Sequence, residues 1–247
     1  APPSPPRCLP SRDEMVQVLR IALEEADRYL AELDSRPALS SRAEACLAAF
    51  DEPLPETGEG AAPALRRLVD QGRDAAGNTS GPRCFHFVIG GATPAALGAD
   101  LLASAFDQIA YTWITSPLGV GLERVALDWL KELFGLPPAW PGVITTGTSM
   151  ANFVGLAAAR QWWGERHGVD VSERGLAGLP AVPVFASGHL HASDVKCLAL
   201  LGIGRQSVRR LQRDATGRLD LERLASTLQD LDGQPAILIA VAGEVNA

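Results

Sequence analysis

The sequence predicts an α/β fold in which a mostly parallel sheet is flanked by helices and preceded by a helical layer. Short runs typical of strands alternate with helical patterns, and these runs lie at 142–146, 181–186, 207–211 and 235–242. Such alternation is typical of buried parallel strands joined by helical crossovers. Before residue 80 the chain shows helical patterns only, which indicates a separate N-terminal layer.

The N-terminal layer follows a proline-rich arm, residues 1–10. Ser11 and Glu14 form the S-x-x-E pattern of a capping box, which predicts the start of a helix. Apolar spacing predicts helices at 13–34, 41–50 and 61–75. Turn-forming residues near 80 then predict a boundary between an N-terminal helical layer, residues 1–80, and a larger domain, residues 81–247.

The larger domain contains the predicted sheet. Its helices are expected at 94–110, 117–134, 149–164, 191–201 and 220–231. In open parallel sheets, ligands bind beyond the carboxyl ends of the strands. The segments that follow the four predicted strands are therefore the places to look for a site.

Composition excludes several classes of function. The net charge is -7 and the acidic residues are spread along the chain, so no basic surface for nucleic acid is predicted. No apolar run reaches the roughly 18 residues of a membrane span. The four cysteines show no C-x-x-C pair that would suggest a metal site, and they favour a reduced cytoplasmic protein; they are Cys8, Cys46, Cys84 and Cys197.

The most informative segment joins the strand 142–146 to the helix 149–164 through a turn of small residues. Backbone N–H groups at a helix start, together with the helix dipole, form a ready site for a phosphate group. We call residues 147–149 the phosphate seat. The P-loop and dinucleotide-binding glycine motifs are absent. Ser149 alternatively acts only as an N-cap.

The histidines leave alternatives open. His189 and His191 form an H-x-H pair, which suits a metal but lacks a third ligand at a sensible spacing. The imidazole of His191 can instead stack on an aromatic ring or cap a helix through the backbone. His86, beside Phe87, belongs either to a core or to a pocket wall.

Another segment with candidate site residues begins at Trp113. Ser116 and Pro117 form a typical helix start, with the serine as the cap. Glu123 is either a solvated helix residue or, together with Trp113, part of a pocket lining.

Taken in chain order, these segments resemble the group II pyridoxal-phosphate-dependent amino-acid decarboxylases, which include the aromatic-amino-acid, glutamate and histidine decarboxylases. The matching motifs are H-F-V-I-G-G-A-T-P from His86, W-x-x-S-P from Trp113, the turn and helix over 142–160, H-x-S from His191 and G-E-V-N from Gly243. The resemblance covers residues 84–247 and, more loosely, the N-terminal helices. It implies a fold-type-I transferase architecture with pyridoxal 5'-phosphate as cofactor.

The resemblance also implies roles for individual residues. Gly147, Thr148 and Ser149 would hold the cofactor phosphate, and Asn246 would also contact the cofactor. His191 would stack on the pyridine ring and take part in catalysis. The substrate pocket would be lined by His86, Phe87 and Trp113. A homodimer is implied, with residues 1–80 as its dimerisation layer.

The expected activity is decarboxylation of an L-amino acid, with aromatic amino acids among the candidates. The family's aspartate and its Schiff-base lysine would lie beyond Ala247, which itself stands where the family has threonine. The two lysines of the chain are unsuited to that role, because Lys131 is expected to be solvated and Lys196 to lie on a helix leading away from the ring.

The chain is therefore expected to be inactive alone and to need the C-terminal half of the same enzyme, as a separate or missing chain. Two alternatives remain open. One is a pyridoxal-phosphate-dependent carbon–carbon lyase of the sphingosine-phosphate-lyase type, and the other is a non-catalytic, degenerate paralogue.

Overall fold

The structure is a computed structural model that describes residues 11–85, 87 and 89–243. The chain divides into two compact units, Ala1–Asp107 and Gln108–Ala247. This division falls after the boundary near residue 80 that the sequence suggested. The roles assigned to residues 1–80 and 81–247 remain predictions.

All regular elements described in the first unit are helices. Its α-helices are α1 (Arg12–Ala31), α2 (Ala43–Leu47), α3 (Ala61–Gly72) and α4 (Pro94–Phe106), with 3-10 turns at Ala48–Phe50 and Arg73–Ala75. The Ser11 hydroxyl accepts the Glu14 N–H at 3.1 Å, which confirms the predicted helix start. Helix α1 packs against α3.

Asn78 joins the end of α1 to the turn that follows α3. Its side-chain amide donates to the carbonyl oxygens of Leu33 and Arg36 at 3.0 and 3.2 Å. Its side-chain oxygen accepts the Tyr29 hydroxyl at 2.8 Å. Because Asn78 is only 1% exposed, these three bonds replace water that cannot reach it.

The second unit has the predicted α/β architecture. Its helices are α5 (Pro117–Phe134), α6 (Thr148–Arg166), α7 (Val171–Arg174), α8 (Ala192–Leu200) and α9 (Leu221–Asp230). Its strands are β1 (Val184–Ala186), β2 (Val208–Arg210) and β3 (Ile237–Ile239). The sheet order is β2-β1-β3, and both pairings are parallel, with Val184 opposite Val208 and Ile237.

Helices cover both faces of this sheet. Val184 packs with Trp163 of α6 and Leu198 of α8, whereas the next residue, Phe185, packs with Leu211 and with Leu224 of α9. Successive side chains of a strand point to opposite faces, so the central strand β1 is buried on both sides. The starts of α6 and α8 are thereby held on one face of the sheet.

The predicted strand at 142–146 is not a strand among the described residues, and this expectation was wrong. A strand needs a neighbour for its hydrogen-bond ladder, and no described segment provides one here. The Ile144 N–H is instead accepted by the Glu123 carboxylate at 2.9 Å.

Within the described ranges, no helix has the length and apolar character needed to span a membrane.

Candidate functional site

The phosphate seat lies at the start of α6. Gly147 occupies the N-cap position, and its carbonyl accepts the N–H groups of Met150 and Ala151 at 3.0 and 3.1 Å. The N–H groups of Thr148 and Ser149 have no acceptor within the described part of the chain. Two donors and the positive end of the helix dipole thus remain available for an anion.

Ser149 is the second residue of α6 and is not its cap, so the capping alternative was wrong. Thr148 and Ser149 are exposed, and neither hydroxyl makes a hydrogen bond to a described residue. No described atom lies within 4 Å of a Cβ placed on Gly147, so the space beside this glycine is open to the described residues. The seat therefore combines two N–H groups and two hydroxyls that no described residue satisfies.

Two contacts from distant residues hold the seat in place. The Glu123 carboxylate of α5 fixes the segment that leads into it, through the Ile144 N–H. The buried Cys197 thiol of α8 donates to the Ser149 carbonyl at 3.4 Å. Sequence reasoning had left Glu123 between a solvated and a pocket-lining position and had assigned no role to Cys197, because neither contact has a local signal.

His191 caps α8. Its Nδ1 accepts the Ser193 N–H at 3.2 Å and lies 2.7 Å from the Ser193 hydroxyl. The capping alternative for this histidine is thus confirmed. The side chain is exposed, so the cap leaves Nε2 and the ring faces accessible to a ligand. Capping and stacking on an aromatic ring are therefore compatible.

Hydrogen bonds connect the helix start that carries the phosphate seat to the helix start that carries His191. Asn152, in the first turns of α6, donates from its side-chain nitrogen to the Ser193 hydroxyl at 3.3 Å. Ser193 in turn contacts the His191 ring. Together with the contact between Cys197 and Ser149, this bond ties the starts of α6 and α8 to each other. Sequence reasoning missed Asn152 and Ser193 as parts of the site.

A buried acid lies in the first turn of α8. Burial raises the pKa of the Asp194 carboxyl, although the charge of the neighbouring His191 acts in the opposite direction. No sequence motif singled it out.

The structure describes two of the remaining predicted site residues, Trp113 and Phe87. Trp113 lies in a turn before α5 and is 59% exposed, and no hydrogen bond links its side chain to described residues of α6 or α8. Phe87 lies in the first unit, is 91% exposed and has a positive φ of 56°. His86 and Asn246 lie outside the described residues. The pocket and cofactor roles of these four residues remain predictions.

The two lysines lie on different helices. Lys131 pairs with Asp128 at 2.8 Å, donates to the Pro138 carbonyl at 2.9 Å, and its side chain is only 19% exposed, so the expectation that it is solvated was wrong. Lys196 is exposed on α8. In the residues that the structure describes, no group of three or more histidines, cysteines or carboxylates is placed to hold a metal.

Comparison with known proteins places this site in context. The family model described as "Pyridoxal-dependent decarboxylase conserved domain" matches residues 75–245. Tryptophan decarboxylase 1 of Oryza sativa subsp. japonica is 32% identical in an alignment 182 residues long that covers 67% of this chain and 35% of that protein. Cysteine sulfinic acid decarboxylase of Rattus norvegicus is 32% identical over 168 residues, which are 67% of this chain and 33% of that protein.

Two solved structures have the same fold. Mouse CSAD superimposes with a TM-score of 0.76 and 26% identity, over 94% of this chain and 48% of that one. Oryza sativa TDC with PLP and tryptamine superimposes with a TM-score of 0.78 and 25% identity, over 95% of this chain and 49% of that one. The chain thus spans about a third of these curated relatives and about half of these solved chains. Because the family model matches well over half of its residues, the chain belongs to the pyridoxal-dependent decarboxylase family.

Proposed function

We propose that this chain provides the phosphate seat and the ring-facing histidine of an enzyme that decarboxylates an L-amino acid with pyridoxal 5'-phosphate. One observation supports this most strongly. The start of α6, with its free N–H groups and hydroxyls, is tied by hydrogen bonds to the start of α8, where His191 presents an open imidazole.

The residues of the site fit the cofactor. A phosphate ester is dianionic, and charge-assisted hydrogen bonds from N–H and hydroxyl groups at a helix start stabilise such a group. Thr148 and Ser149 offer two donors of each kind, and Gly147 leaves the approach free of a side chain. When bound, pyridoxal phosphate supplies the electron sink that makes the loss of a carboxylate feasible.

The remaining predicted site residues would position the cofactor and the substrate. His191 would stack on the cofactor ring, while Asn246 would give a further cofactor contact. Trp113, Phe87 and His86 would line the substrate pocket and exclude water. The exposure of the Trp113 and Phe87 rings supports this, because both are apolar surfaces that a substrate or a further segment can cover.

The substrate is an L-amino acid in this proposal. By their names, relatives of the chain act on tryptophan, on cysteine sulfinic acid and on L-2,4-diaminobutyrate. These side chains are aromatic, acidic and basic, so family membership leaves the choice among them open. Aromatic amino acids remain candidates.

We assign the covalent lysine to the C-terminal half of the same enzyme. Lys131 is already engaged by a carboxylate and a carbonyl, which supports this assignment. In the assembled enzyme, residues 1–80 would form the dimerisation layer of a homodimer. Exposed apolar residues along α1 support that role; they are Met15, Leu19, Leu23 and Leu30. A cytoplasmic location agrees with the free thiols of Cys46, Cys84 and Cys197.

The activity is tested by combining the chain with its C-terminal half and pyridoxal phosphate, and then offering a panel of L- and D-amino acids. We expect equal amounts of carbon dioxide and the corresponding amine from at least one L-amino acid and none from its D-enantiomer. Release of an aldehyde by carbon–carbon cleavage would instead identify a lyase of the alternative type. Cofactor binding without turnover of any substrate would identify a non-catalytic paralogue.

The lysine assignment has its own test. After incubation with pyridoxal phosphate and reduction with borohydride, the 247-residue chain alone should keep its unmodified mass. A reduction-stable adduct on Lys131 or Lys196 would contradict the assignment. The assembled enzyme is the positive control and should gain one adduct, located outside this chain.

A further inference from the structure

A continuous line of hydrogen bonds runs from α6 to the ring of His191. The Asn152 side-chain nitrogen donates to the Ser193 hydroxyl at 3.3 Å. The Ser193 hydroxyl lies 2.7 Å from His191 Nδ1, which also accepts the Ser193 backbone N–H at 3.2 Å. Ser193 thus contacts the ring with both its side chain and its backbone.

The directions of these bonds follow from their donors. A backbone N–H can only donate, so His191 Nδ1 must present a lone pair to Ser193. The amide nitrogen of Asn152 is also a donor, which makes the Ser193 oxygen an acceptor on that side. The serine hydroxyl hydrogen is then free to point at Nδ1. All three bonds agree only if the proton of the neutral imidazole is on Nε2.

Burial protects the centre of this line. Ser193 is 7% exposed, so water competes poorly for its hydroxyl. Asn152 is half-buried, whereas His191 is exposed. The network is therefore sheltered where it holds Nδ1 and open where Nε2 and the ring faces meet solvent.

We propose that Ser193 and Asn152 are positioning residues for His191, which hold its imidazole in the Nε2–H tautomer and tie it to the helix that carries the phosphate seat. Rotation of the ring would break both contacts to Nδ1, so its orientation is fixed relative to Thr148 and Ser149. The Nε2–H is then the one donor that the neutral ring offers to a ligand. The use of this donor rests on the proposed function, but the tautomer itself does not.

The tautomer is measured directly by long-range ¹H–¹⁵N NMR correlation on the full chain without cofactor. At a pH where the imidazole is neutral, His191 should show a pyridine-type Nδ1 and a pyrrole-type Nε2. Ser193→Ala removes the hydroxyl that contacts His191 Nδ1. Asn152→Ala removes the side chain that donates a hydrogen bond to this hydroxyl. In both variants the Ser193 backbone N–H still favours the Nε2–H form, but the support from the hydroxyl is lost or weakened. We therefore expect a population of His191 with its proton on Nδ1 to appear beside the Nε2–H form.

Two further variants separate positioning from folding. Ser193→Thr keeps a hydroxyl at the same place and should restore the single tautomer. Ser187→Ala is the matched control, because Ser187 is also 7% exposed and its hydroxyl donates to the His189 carbonyl at 3.1 Å, not to the His191 ring. This control should leave the His191 spectrum unchanged.

A proton on Nδ1 in the unaltered chain would overturn the proposal. So would an unchanged tautomer in both Ser193→Ala and Asn152→Ala. Because these spectra are recorded without pyridoxal phosphate, a failure of the proposed function leaves them unaffected. Conversely, a confirmed tautomer with no cofactor binding would refute the function alone.

Discussion

Each compact unit of this chain contains a cluster of polar hydrogen-bonding groups. In one cluster these groups are paired within the protein, and in the other they are left unpaired by the described residues. Around Asn78, every hydrogen-bonding group of the side-chain amide is matched inside the protein and closed to water. At the start of α6, by contrast, Thr148 and Ser149 keep N–H and hydroxyl groups that no described residue satisfies. Polar groups that stabilise a fold are paired within it, whereas groups that await a ligand remain exposed and unpaired.

The comparison predicts its largest effect at Asn78. Asn78→Ala leaves two carbonyl oxygens and the Tyr29 hydroxyl without their partner, which should lower the free energy of unfolding by about 3 kcal/mol. Chemical denaturation followed by circular dichroism measures this loss.

The matched control is the same substitution at Asn152. Its side chain makes one hydrogen bond of 3.3 Å from a half-buried position, so Asn152→Ala should cost about 1 kcal/mol or less. Equal losses of stability at the two positions would show that the clusters do not differ in the way we describe.

The second effect concerns the open cluster. Ser149→Ala should weaken binding of pyridoxal phosphate by about 1–3 kcal/mol, at least about fivefold in Kd, because a charge-assisted hydrogen bond is lost. The free energy of unfolding should change by no more than about 0.5 kcal/mol, since the hydroxyl has no partner in the described structure. Calorimetric titration measures the affinity.

Ser226→Ala provides the control for this substitution. Ser226 is an exposed helical serine of α9 whose hydroxyl donates to the Arg223 carbonyl at 3.0 Å and to no other described residue. Its removal should leave cofactor affinity unchanged. If Ser149→Ala behaves in the same way, the Ser149 hydroxyl is not part of the phosphate seat.

The smallest effect is a pH dependence beside the open site. Since burial raises the pKa of Asp194, its contribution to stability is fully present below the ordinary value of about 3.9 and is lost as the pH rises through the folded-state pKa. Asp194→Asn should remove this loss of stability with rising pH. Near neutral pH the variant should therefore keep more of its low-pH stability than the unaltered chain does. Denaturation at a series of pH values measures the difference between the two proteins.

Asp170 is the control with the opposite sign. Hydrogen bonds from Ser172 and Gln161 lower the pKa of its carboxyl. Its contribution is therefore present above about pH 3.9 and is lost as the pH falls through the folded-state pKa. Identical pH profiles for Asp194→Asn and Asp170→Asn would contradict the assignment of opposite shifts.

The elements best predicted from sequence have strong local signals at both ends. Helix α5 has the predicted bounds, because the Ser116 hydroxyl accepts the Gly119 N–H at its start and Gly135 adopts a left-handed φ of 64° at its end. The strand expected at 142–146 failed because a strand depends on a neighbour as well as on its own residues.

The candidate site was likewise predictable only where its signals are local in the sequence. His191 and the phosphate seat were predicted because their motifs are local and ordered along the chain. The contacts that join them span 41 residues between Asn152 and Ser193 and 48 residues between Ser149 and Cys197. Such pairs are determined by the packing of α6 and α8 on the sheet, and no periodicity in the sequence reveals them.

In the proposed function, the start of α6 binds the phosphate of the cofactor. The most direct measurement is amide NMR of the chain during titration with pyridoxal phosphate, with phosphate-free pyridoxal as the control. We predict that the N–H signals of Thr148 and Ser149 shift on addition of pyridoxal phosphate and stay in place with pyridoxal. Saturating pyridoxal phosphate that shifts other amides and leaves these two unchanged would contradict the account.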